Sequence, residues 1–195
     1  MNIHFNNTNI KITPDVYEPC EDSFLLAQAA LSIIENSEKI LEVGCGSGII
    51  SAVIKNNTTA MITGIDINPH AAKCTKENGV DAIRGDLLSC IRGKFDLIIF
   101  NPPYLPTSDE ERTGDWINVA LDGGNDGRRL INRFLIEARH HLVDNGRILI
   151  LVSSCTGIEE VKSRMTSLGY YVEENNKERY MFEELLVIVG TMTRK

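Results

Sequence analysis

Residues 39–48 read Lys39-Ile40-Leu41-Glu42-Val43-Gly44-Cys45-Gly46-Ser47-Gly48, and they decide how this chain folds. Their first half is short and apolar, which is typical of a buried strand, and residues 49–55 can form a helix after the glycines. A strand, a glycine turn and a helix in this order predict a βα unit. The glycines also leave backbone amides open to a ligand, because no Cβ covers them.

The alternation of strand and helix continues on both sides of this unit. Apolar runs predict seven strands, at residues 39–43, 60–65, 80–84, 95–100, 147–152, 170–174 and 185–189. Helices are predicted at residues 22–35, 49–55, 69–78, 127–142 and 158–168. This alternation predicts an α/β fold with a mostly parallel sheet covered on both faces. Neither a repeat nor a linker interrupts it, so a single domain is expected.

The glycine turn differs from two common phosphate-binding motifs. A dinucleotide fingerprint has its third glycine one position later, where Ile49 stands, and the lysine of a P-loop is missing. Glu42 would repel a pyrophosphate but could accept hydrogen bonds from an amine or from hydroxyls. The turn therefore indicates a ligand with an amino-acid group, and a tight turn without a ligand is the alternative.

Acidic residues also end the next two strands. Asp66 could accept hydrogen bonds from both hydroxyls of a ribose, and its alternative role is to cap the following helix. Asp86 could accept an adenine amino proton while Leu87 packs on the ring, although such a residue alone reads as part of a turn. Since the carboxyl ends of parallel strands share one edge of a sheet, we expect Glu42, Asp66 and Asp86 to line one rim.

The segment Asp96-Leu97-Ile98-Ile99-Phe100-Asn101-Pro102-Pro103-Tyr104 ends the fourth strand with a second motif, since Pro102 cannot continue a central ladder. The Asn101 side-chain oxygen and the Pro102 carbonyl oxygen could both accept protons from one planar NH2 group. Tyr104 offers a face on which such a substrate could stack. We call residues 101–104 the acceptor clamp; a strand end with a proline turn is its alternative. The long polar loop at residues 102–126 that begins here is expected to be functional or mobile.

Composition narrows the function classes. The chain has 195 residues, of which 43% are hydrophobic and 24% charged, and its formal net charge is −7. These values are ordinary for one soluble domain and disfavour, without excluding, broad binding to nucleic acid. No membrane-spanning run or signal peptide is visible, so a cytoplasmic protein is predicted. The five cysteines are scattered and predict neither a disulfide framework nor a zinc site, so buried thiols are expected.

In its glycine turn, in Asp66 and Asp86, and in the acceptor clamp, the chain resembles the class I S-adenosylmethionine-dependent methyltransferases. The clamp narrows the resemblance to enzymes that methylate planar NH2 groups. Val16-Tyr17-Glu18-Pro19-Cys20-Glu21-Asp22-Ser23 and Ala120-Leu121-Asp122-Gly123-Gly124-Asn125-Asp126-Gly127 are similar to segments of the HemK family. Only about 38 residues precede the first strand, and this resembles the short archaeal and eukaryotic branch, which methylates the glutamine of the Gly-Gly-Gln motif in class I release factors.

The resemblance implies a Rossmann-like methyltransferase fold, a doubly wound seven-stranded sheet with an antiparallel last strand in a three-layer sandwich. Residues 1–38 would form a cap segment and helix, and residues 39–195 the catalytic core. It also implies S-adenosylmethionine as the cofactor, S-adenosylhomocysteine as the product and no metal. A small zinc-binding activator protein would pair along the sheet. Ile62, Ile65 and Val80 could cover such a partner, but filling the core is their default role.

The resemblance also implies roles for individual residues. Catalysis would rest on Asn101, Pro102 and Tyr104, and Pro103 would join them in binding the substrate. Relatives more often carry threonine at the position of Ser23. The implied cofactor contacts are Ser23, Glu42, Gly44, Gly46, Gly48, Asp66, Asp86, Leu87 and Asn101.

Three other functions use part of the same pattern. An adenine methyltransferase acting on RNA or DNA would use the same clamp but usually needs a positive groove. A lysine methyltransferase would need a group that deprotonates the amine. A non-catalytic module of the same fold would have lost clamp or cofactor residues. Arg128, Arg129, Arg133 and Arg139 could contact RNA or an acidic partner, although a solvated helix face is the preferred interpretation.

Overall fold

The computed structural model describes residues 1–108, 110 and 113–193. Its strands are β1 (Asn2–Phe5), β2 (Thr8–Lys11), β3 (Lys39–Val43), β4 (Met61–Asp66), β5 (Asp81–Arg84), β6 (Phe95–Phe100), β7 (Leu142–Ser153), β8 (Tyr170–Arg179) and β9 (Glu184–Met192). Its helices are α1 (Glu21–Ile33), α2 (Ile49–Asn57), α3 (Pro69–Glu77), α4 (Trp116–Val119), α5 (Arg129–Ala138) and α6 (Ile158–Ser167). A single 3-10 turn, Ser154–Thr156, follows β7.

Seven strands form one sheet in the order β5-β4-β3-β6-β7-β9-β8. The first five of these pair in parallel, and β9 runs antiparallel to both β7 and β8. The predicted mostly parallel sheet with an antiparallel last strand is therefore confirmed. The strand order reverses between β3 and β6, and the carboxyl ends at such a reversal form the crevice in which α/β proteins bind ligands.

The core has one apolar cluster on each face of the sheet. Along β6, Leu97 and Ile99 join the cluster that contains α1 and α2, while Ile98 and Phe100 join the cluster that contains α5 and α6. This alternation has the period of two that a strand dictates, and it confirms the three layers. Three residues could have served either the core or a contact with a partner protein. The structure buries all three in the core: Ile62, Ile65 and Val80.

The N-terminal hairpin was not predicted. β1 and β2 pair in antiparallel fashion around Asn6 and Asn7, which both have positive φ. The Phe5 ring packs on Phe24 of α1 with ring centroids 4.6 Å apart. The hairpin therefore packs against α1.

Two predicted elements have different bounds. The helix predicted at residues 127–142 is confined to Arg129–Ala138, because Gly127 has a positive φ and Leu142 already pairs with Phe95 of the sheet. The strand expected from residue 147 therefore begins five residues earlier. The loop at residues 102–126 contains the short helix α4, and residues 109, 111 and 112 of that loop lie outside the described part of the chain.

Two simpler predictions concern cysteines and membrane segments. All five cysteines are free; Cys45 and Cys74 are the buried thiols that were expected, whereas that expectation is wrong for Cys20, Cys90 and Cys155, which are exposed. In residues 1–108, 110 and 113–193, no helix combines the length and the apolar character that crossing a membrane requires.

Candidate active site

A cavity of about 710 Å³ opens at the carboxyl ends of the central strands. It is lined by the ends of β3, β4 and β6, by the segment before α1, and by one side of α5. Of the residues predicted for the site, these line it: Ser23, Glu42, Gly44, Gly46, Asp66, Asp86, Leu87, Asn101, Pro102, Pro103 and Tyr104.

Gly48 is the one predicted site residue that does not line the cavity. It lies at the start of α2 with φ near +78°, and a Cβ there would lie 2.9 Å from side-chain atoms of Thr75 in α3. Its glycine is explained by the close approach of these two helices. Gly44, by contrast, lines the cavity, and a Cβ there would lie 3.3 Å from the ring of Phe100.

Glu42, the last residue but one of β3, carries a buried carboxyl group, with 2% of its surface exposed. Its Oε2 atom accepts hydrogen bonds from Ser51, from the backbone N–H at 3.0 Å and from the hydroxyl group. Burial raises the pKa of Glu42 to about 8, although the bonds from Ser51 act in the opposite direction. A carboxyl group in this state gains from a cationic partner, because a nearby positive charge favours its ionised form.

We expect the stability of the protein without ligand to fall as the pH rises because of Glu42. Below pH 4.5 the carboxyl group of Glu42 is protonated in both the folded and the unfolded protein. Between pH 4.5 and about 8 the unfolded chain loses this proton while the folded chain keeps it, so the free energy of unfolding falls as the pH rises. Glu42→Gln keeps an acceptor for Ser51 and removes this titration. The melting temperature of the variant should therefore gain several degrees over wild type between pH 5 and pH 8. If the melting temperatures of variant and wild type changed with pH in the same way, the prediction would be contradicted. Glu35→Gln, the same substitution at an exposed position, is the control.

Asp66 ends β4 and shapes the glycine turn. Its two carboxylate oxygens accept hydrogen bonds from the backbone N–H groups of Gly46, at 2.9 Å, and Asn68, at 2.8 Å. Burial raises the pKa of Asp66, and these backbone bonds oppose that effect. Asn68 is the N-cap of α3, since its side chain accepts a hydrogen bond from the backbone N–H of His70. Asp66 is therefore left to face the cavity rather than to cap the helix.

Asp86 lines the cavity and is paired with Arg133 of α5. Arg133 Nη1 lies 2.9 and 2.8 Å from the two carboxylate oxygens of Asp86, and Arg133 Nε lies 2.7 Å from Glu137. Glu137 in turn accepts a hydrogen bond from the backbone N–H of Leu88 at 3.1 Å. The turn that carries Asp86 and Leu87 is thus fixed to α5, and Leu87 takes a positive φ there.

The arginines at and around α5 are partly exposed, with Arg129 at 48% and Arg133 at 40%, as the interpretation of a solvated face expects, but most of them are also ion-paired. Arg129 pairs with Asp122 at 2.8 Å, and Arg128 pairs with Asp126 at 3.0 Å. The Nε atom of Arg139 is buried and has no hydrogen-bond partner among the described residues. With Arg133 on Asp86, three of the four guanidinium groups already have carboxylate partners.

The acceptor clamp follows β6 directly. Asn101 Nδ2 donates a hydrogen bond to Asp22 at 3.0 Å, whereas its Oδ1 is buried and has no partner among the described residues. The Pro102 carbonyl oxygen likewise accepts no hydrogen bond from a described residue. Burial raises the pKa of the Tyr104 hydroxyl, so it stays protonated. Two neighbouring residues that line the cavity therefore each have an acceptor oxygen without a donor among the described residues.

The glycine-rich segment at residues 120–127 packs against the backbone of the clamp and of the residue that follows it. A Cβ at Gly123 would lie 2.9 Å from the Pro103 carbonyl oxygen, and a Cβ at Gly127 would collide with the Tyr104 carbonyl oxygen. The Gly123 N–H also donates to the Leu105 carbonyl at 3.0 Å. The glycines are needed because the two backbones run in contact.

Sequence reasoning missed Asp22. This residue lies in the first turn of α1, is 5% exposed, and lines the cavity. Its carboxylate accepts hydrogen bonds from Ser23 N, Ser23 Oγ, Tyr17 Oη and Asn101 Nδ2, at 2.6, 3.1, 3.3 and 3.0 Å. An acidic residue in the first turn of a helix is so common that it gave no separate signal.

The chain matches known proteins along most of its length. Residues 22–181 match the family described as Methyltransferase small domain. A protein of Methanocaldococcus jannaschii named as a protein N5-glutamine methyltransferase is 40% identical over 194 residues, which cover 96% of this chain and 98% of that protein. Methyltransferase HEMK2 of Mus musculus is 37% identical over 171 residues, covering 80% and 79%.

A solved structure of a methyltransferase complex is also similar to this chain. A chain of the E. cuniculi Mtq2-Trm112 complex, described as responsible for the methylation of the translation termination factor eRF1, superimposes with a TM-score of 0.76. It is 27% identical in sequence, and the match covers 92% of this chain and 99% of that chain.

Proposed function

The chain belongs to the methyltransferase small domain family and, within it, to the HemK-type enzymes, and we propose that it methylates the side-chain amide of a glutamine in a protein. The acceptor we propose is the Gly-Gly-Gln motif of a class I release factor. One observation carries the proposal: within the described residues, neither the buried Oδ1 of Asn101 nor the carbonyl oxygen of the next residue, Pro102, accepts a hydrogen bond. Two such acceptors suit a group that offers two N–H donors.

The residues around the cavity fit S-adenosylmethionine. A buried carboxyl at Glu42 suits the amino group of the cofactor, and Asp66 suits its ribose hydroxyls. Ser47 Oγ is buried beside them without a hydrogen-bond partner among the described residues. Asp86 and Leu87 would hold the adenine, as the sequence predicted. When bound, S-adenosylmethionine supplies an electrophilic methyl group.

The clamp addresses the main difficulty of the reaction, which is that an amide nitrogen is a poor nucleophile. Its lone pair is delocalised into the carbonyl group. When Asn101 Oδ1 and the Pro102 carbonyl each accept one proton of the amide, the nitrogen is fixed in place and positive charge that develops on it is stabilised. Tyr104, half-buried and protonated, offers its ring to the flat amide group. The proton can leave to solvent afterwards, and the described residues that line the cavity include no histidine.

Methylation of adenine is the closest rival, because adenine also presents a planar NH2 group. Nucleic acid binding needs free cationic groups for the phosphates. Here Arg128, Arg129 and Arg133 are each paired with a carboxylate. This pairing favours a protein acceptor.

We also propose that a small zinc-binding protein covers the outer edge of the sheet. In the part of the chain that the structure describes, strand β5 pairs with β4 alone, so no described strand covers its other side. Three large apolar residues are exposed on or near this edge: Met61 at 65%, Ile67 at 44% and Ile83 at 40%. An open edge strand with apolar neighbours is a template for pairing with a second chain. The related Mtq2 chain was solved together with Trm112, which supports the proposal.

The test of the function is transfer of labelled methyl groups from S-adenosylmethionine. Acceptors are a class I release factor, the same factor with Gly-Gly-Ala in place of Gly-Gly-Gln, and total RNA, each with and without the small partner protein. We expect label on the wild-type factor alone, at the amide nitrogen of the glutamine. Label on RNA alone would move the assignment to adenine methylation, and label on both forms of the factor would point to another side chain.

A further inference from the structure

The amide group of Asn101 can be placed in two orientations that have nearly the same shape. Rotation by 180° about the last side-chain bond exchanges its oxygen and nitrogen atoms. In one orientation the acceptor site receives Oδ1, which attracts an incoming NH2 group. In the other it receives Nδ2, which repels such a group. The proposed reaction therefore needs a residue that selects the first orientation.

Asp22 has the chemistry to make this selection. A carboxylate only accepts hydrogen bonds, so the neighbouring Asn101 must turn its NH2 group toward Asp22, and the two atoms lie 3.0 Å apart. The reverse orientation would bring two acceptor oxygens together in a place where Asp22 is only 5% exposed. Like partial charges in such a poorly solvated place repel strongly.

Asp22 is itself held from three sides. The Oδ1 atom accepts the Ser23 backbone N–H at 2.6 Å and the Ser23 hydroxyl at 3.1 Å, and Oδ2 accepts the Tyr17 hydroxyl at 3.3 Å. Its place in the first turn of the 13-residue helix α1 also favours a negative charge. The carboxylate is thus a fixed acceptor whose remaining direction points at Asn101.

We propose that Asp22 is a positioning residue that locks the Asn101 amide with Oδ1 toward the methyl acceptor. This inference rests on the proposed function and deepens it, because it explains how the site selects a group with two N–H donors. Asp22 acts through Asn101 and does not itself contact the reacting nitrogen. It also gives Ser23 a second role, since the hydroxyl proton of Ser23 is used to hold Asp22.

Exchanging the two side chains tests the inference. Asp22→Asn lets the Asn101 amide adopt either orientation, and Asn101→Asp places two carboxylates side by side. We expect each single variant to lose about tenfold or more in kcat. In the double variant, the amide introduced at position 22 can donate to the carboxylate introduced at position 101, whose other oxygen faces the acceptor. The double variant should therefore exceed both single variants by about tenfold.

Glu21→Gln is the matched control, because it makes the same change one residue away at an exposed position. The Kd for S-adenosylmethionine and the melting temperature are measured for every variant. A loss that followed unfolding or weak cofactor binding would indicate a merely structural role and overturn the proposal. So would a double variant no better than its singles, or full kcat in Asp22→Asn.

The glutamine assignment and this inference can fail separately. The exchange is assayed with whichever NH2 acceptor the wild-type enzyme methylates. Methylation of RNA alone by wild type would contradict the glutamine proposal and still permit the exchange to be measured on RNA. Methylation of the release factor without rescue in the double variant would contradict the role of Asp22 alone.

Discussion

Asn101→Ala is expected to lower kcat for methyl transfer by roughly two to three orders of magnitude, the size of effect seen when one preorganised hydrogen-bonding group is removed from an active site. The variant loses Oδ1, the buried acceptor that has no other partner. It also leaves Asp22 without the donor at 3.0 Å. The Kd for S-adenosylmethionine should change little, because the carboxylates at the other strand ends remain.

Single-turnover methylation and calorimetric titration with the cofactor measure these two quantities separately. Asn175→Ala, at an exposed position in β8, is the control and should behave as wild type. Near-normal turnover in Asn101→Ala would remove the clamp from the mechanism. A large rise in Kd with normal turnover at saturating cofactor would instead make Asn101 a cofactor ligand.

Asp66→Ala is expected to weaken binding of S-adenosylmethionine by about 10- to 100-fold. Hydrogen bonds to a charged group contribute about 1.5–3 kcal/mol, and the variant would lose those to the ribose hydroxyls. It would also release the backbone N–H groups of Gly46 and Asn68, which hold the glycine turn in shape. Because the clamp is untouched, the KM for the protein acceptor should stay close to wild type at saturating cofactor.

Asp81→Ala is a suitable control, since this exposed aspartate begins β5, at the amino ends of the parallel strands, whereas the cavity lies at their carboxyl ends. Its Kd should match that of wild type. A Kd within twofold of wild type in Asp66→Ala would show that Asp66 serves only the turn. The carboxylates that bind S-adenosylmethionine would then be Glu42 and Asp86.

The sequence was most informative where one strand or one turn decides the geometry. The apolar run of β6 followed by Pro102 predicted both the strand and its end, and the period of two along β6 then placed alternate residues in the two core clusters. Glu42, Asp66 and Asp86 could be assigned to one rim because parallel strands share their carboxyl edge. These inferences needed only local pattern and sheet topology.

Contacts between distant parts of the chain could not be predicted in this way. The bond between Asp22 and Asn101 joins residues 79 positions apart, and the pair of Arg133 with Asp86 joins residues 47 apart. Neither side chain has a periodic signal. The N-terminal hairpin is a different case, because Asn6 and Asn7 between alternating residues are a recognisable signal for a tight turn with two positive φ values.

The position of β9 has a consequence for synthesis on the ribosome. This strand is the last of the sheet along the chain, yet it lies between β7 and β8, and its residues 185–190 are buried. While residues 184–192 are still being made, β7 has an open apolar edge and β8 has no neighbour. A nascent chain halted at that stage would expose a template for aggregation. The domain can therefore complete its fold only once β9 has emerged from the ribosome. Residues 184–192 must be synthesised before any methyl group can be transferred.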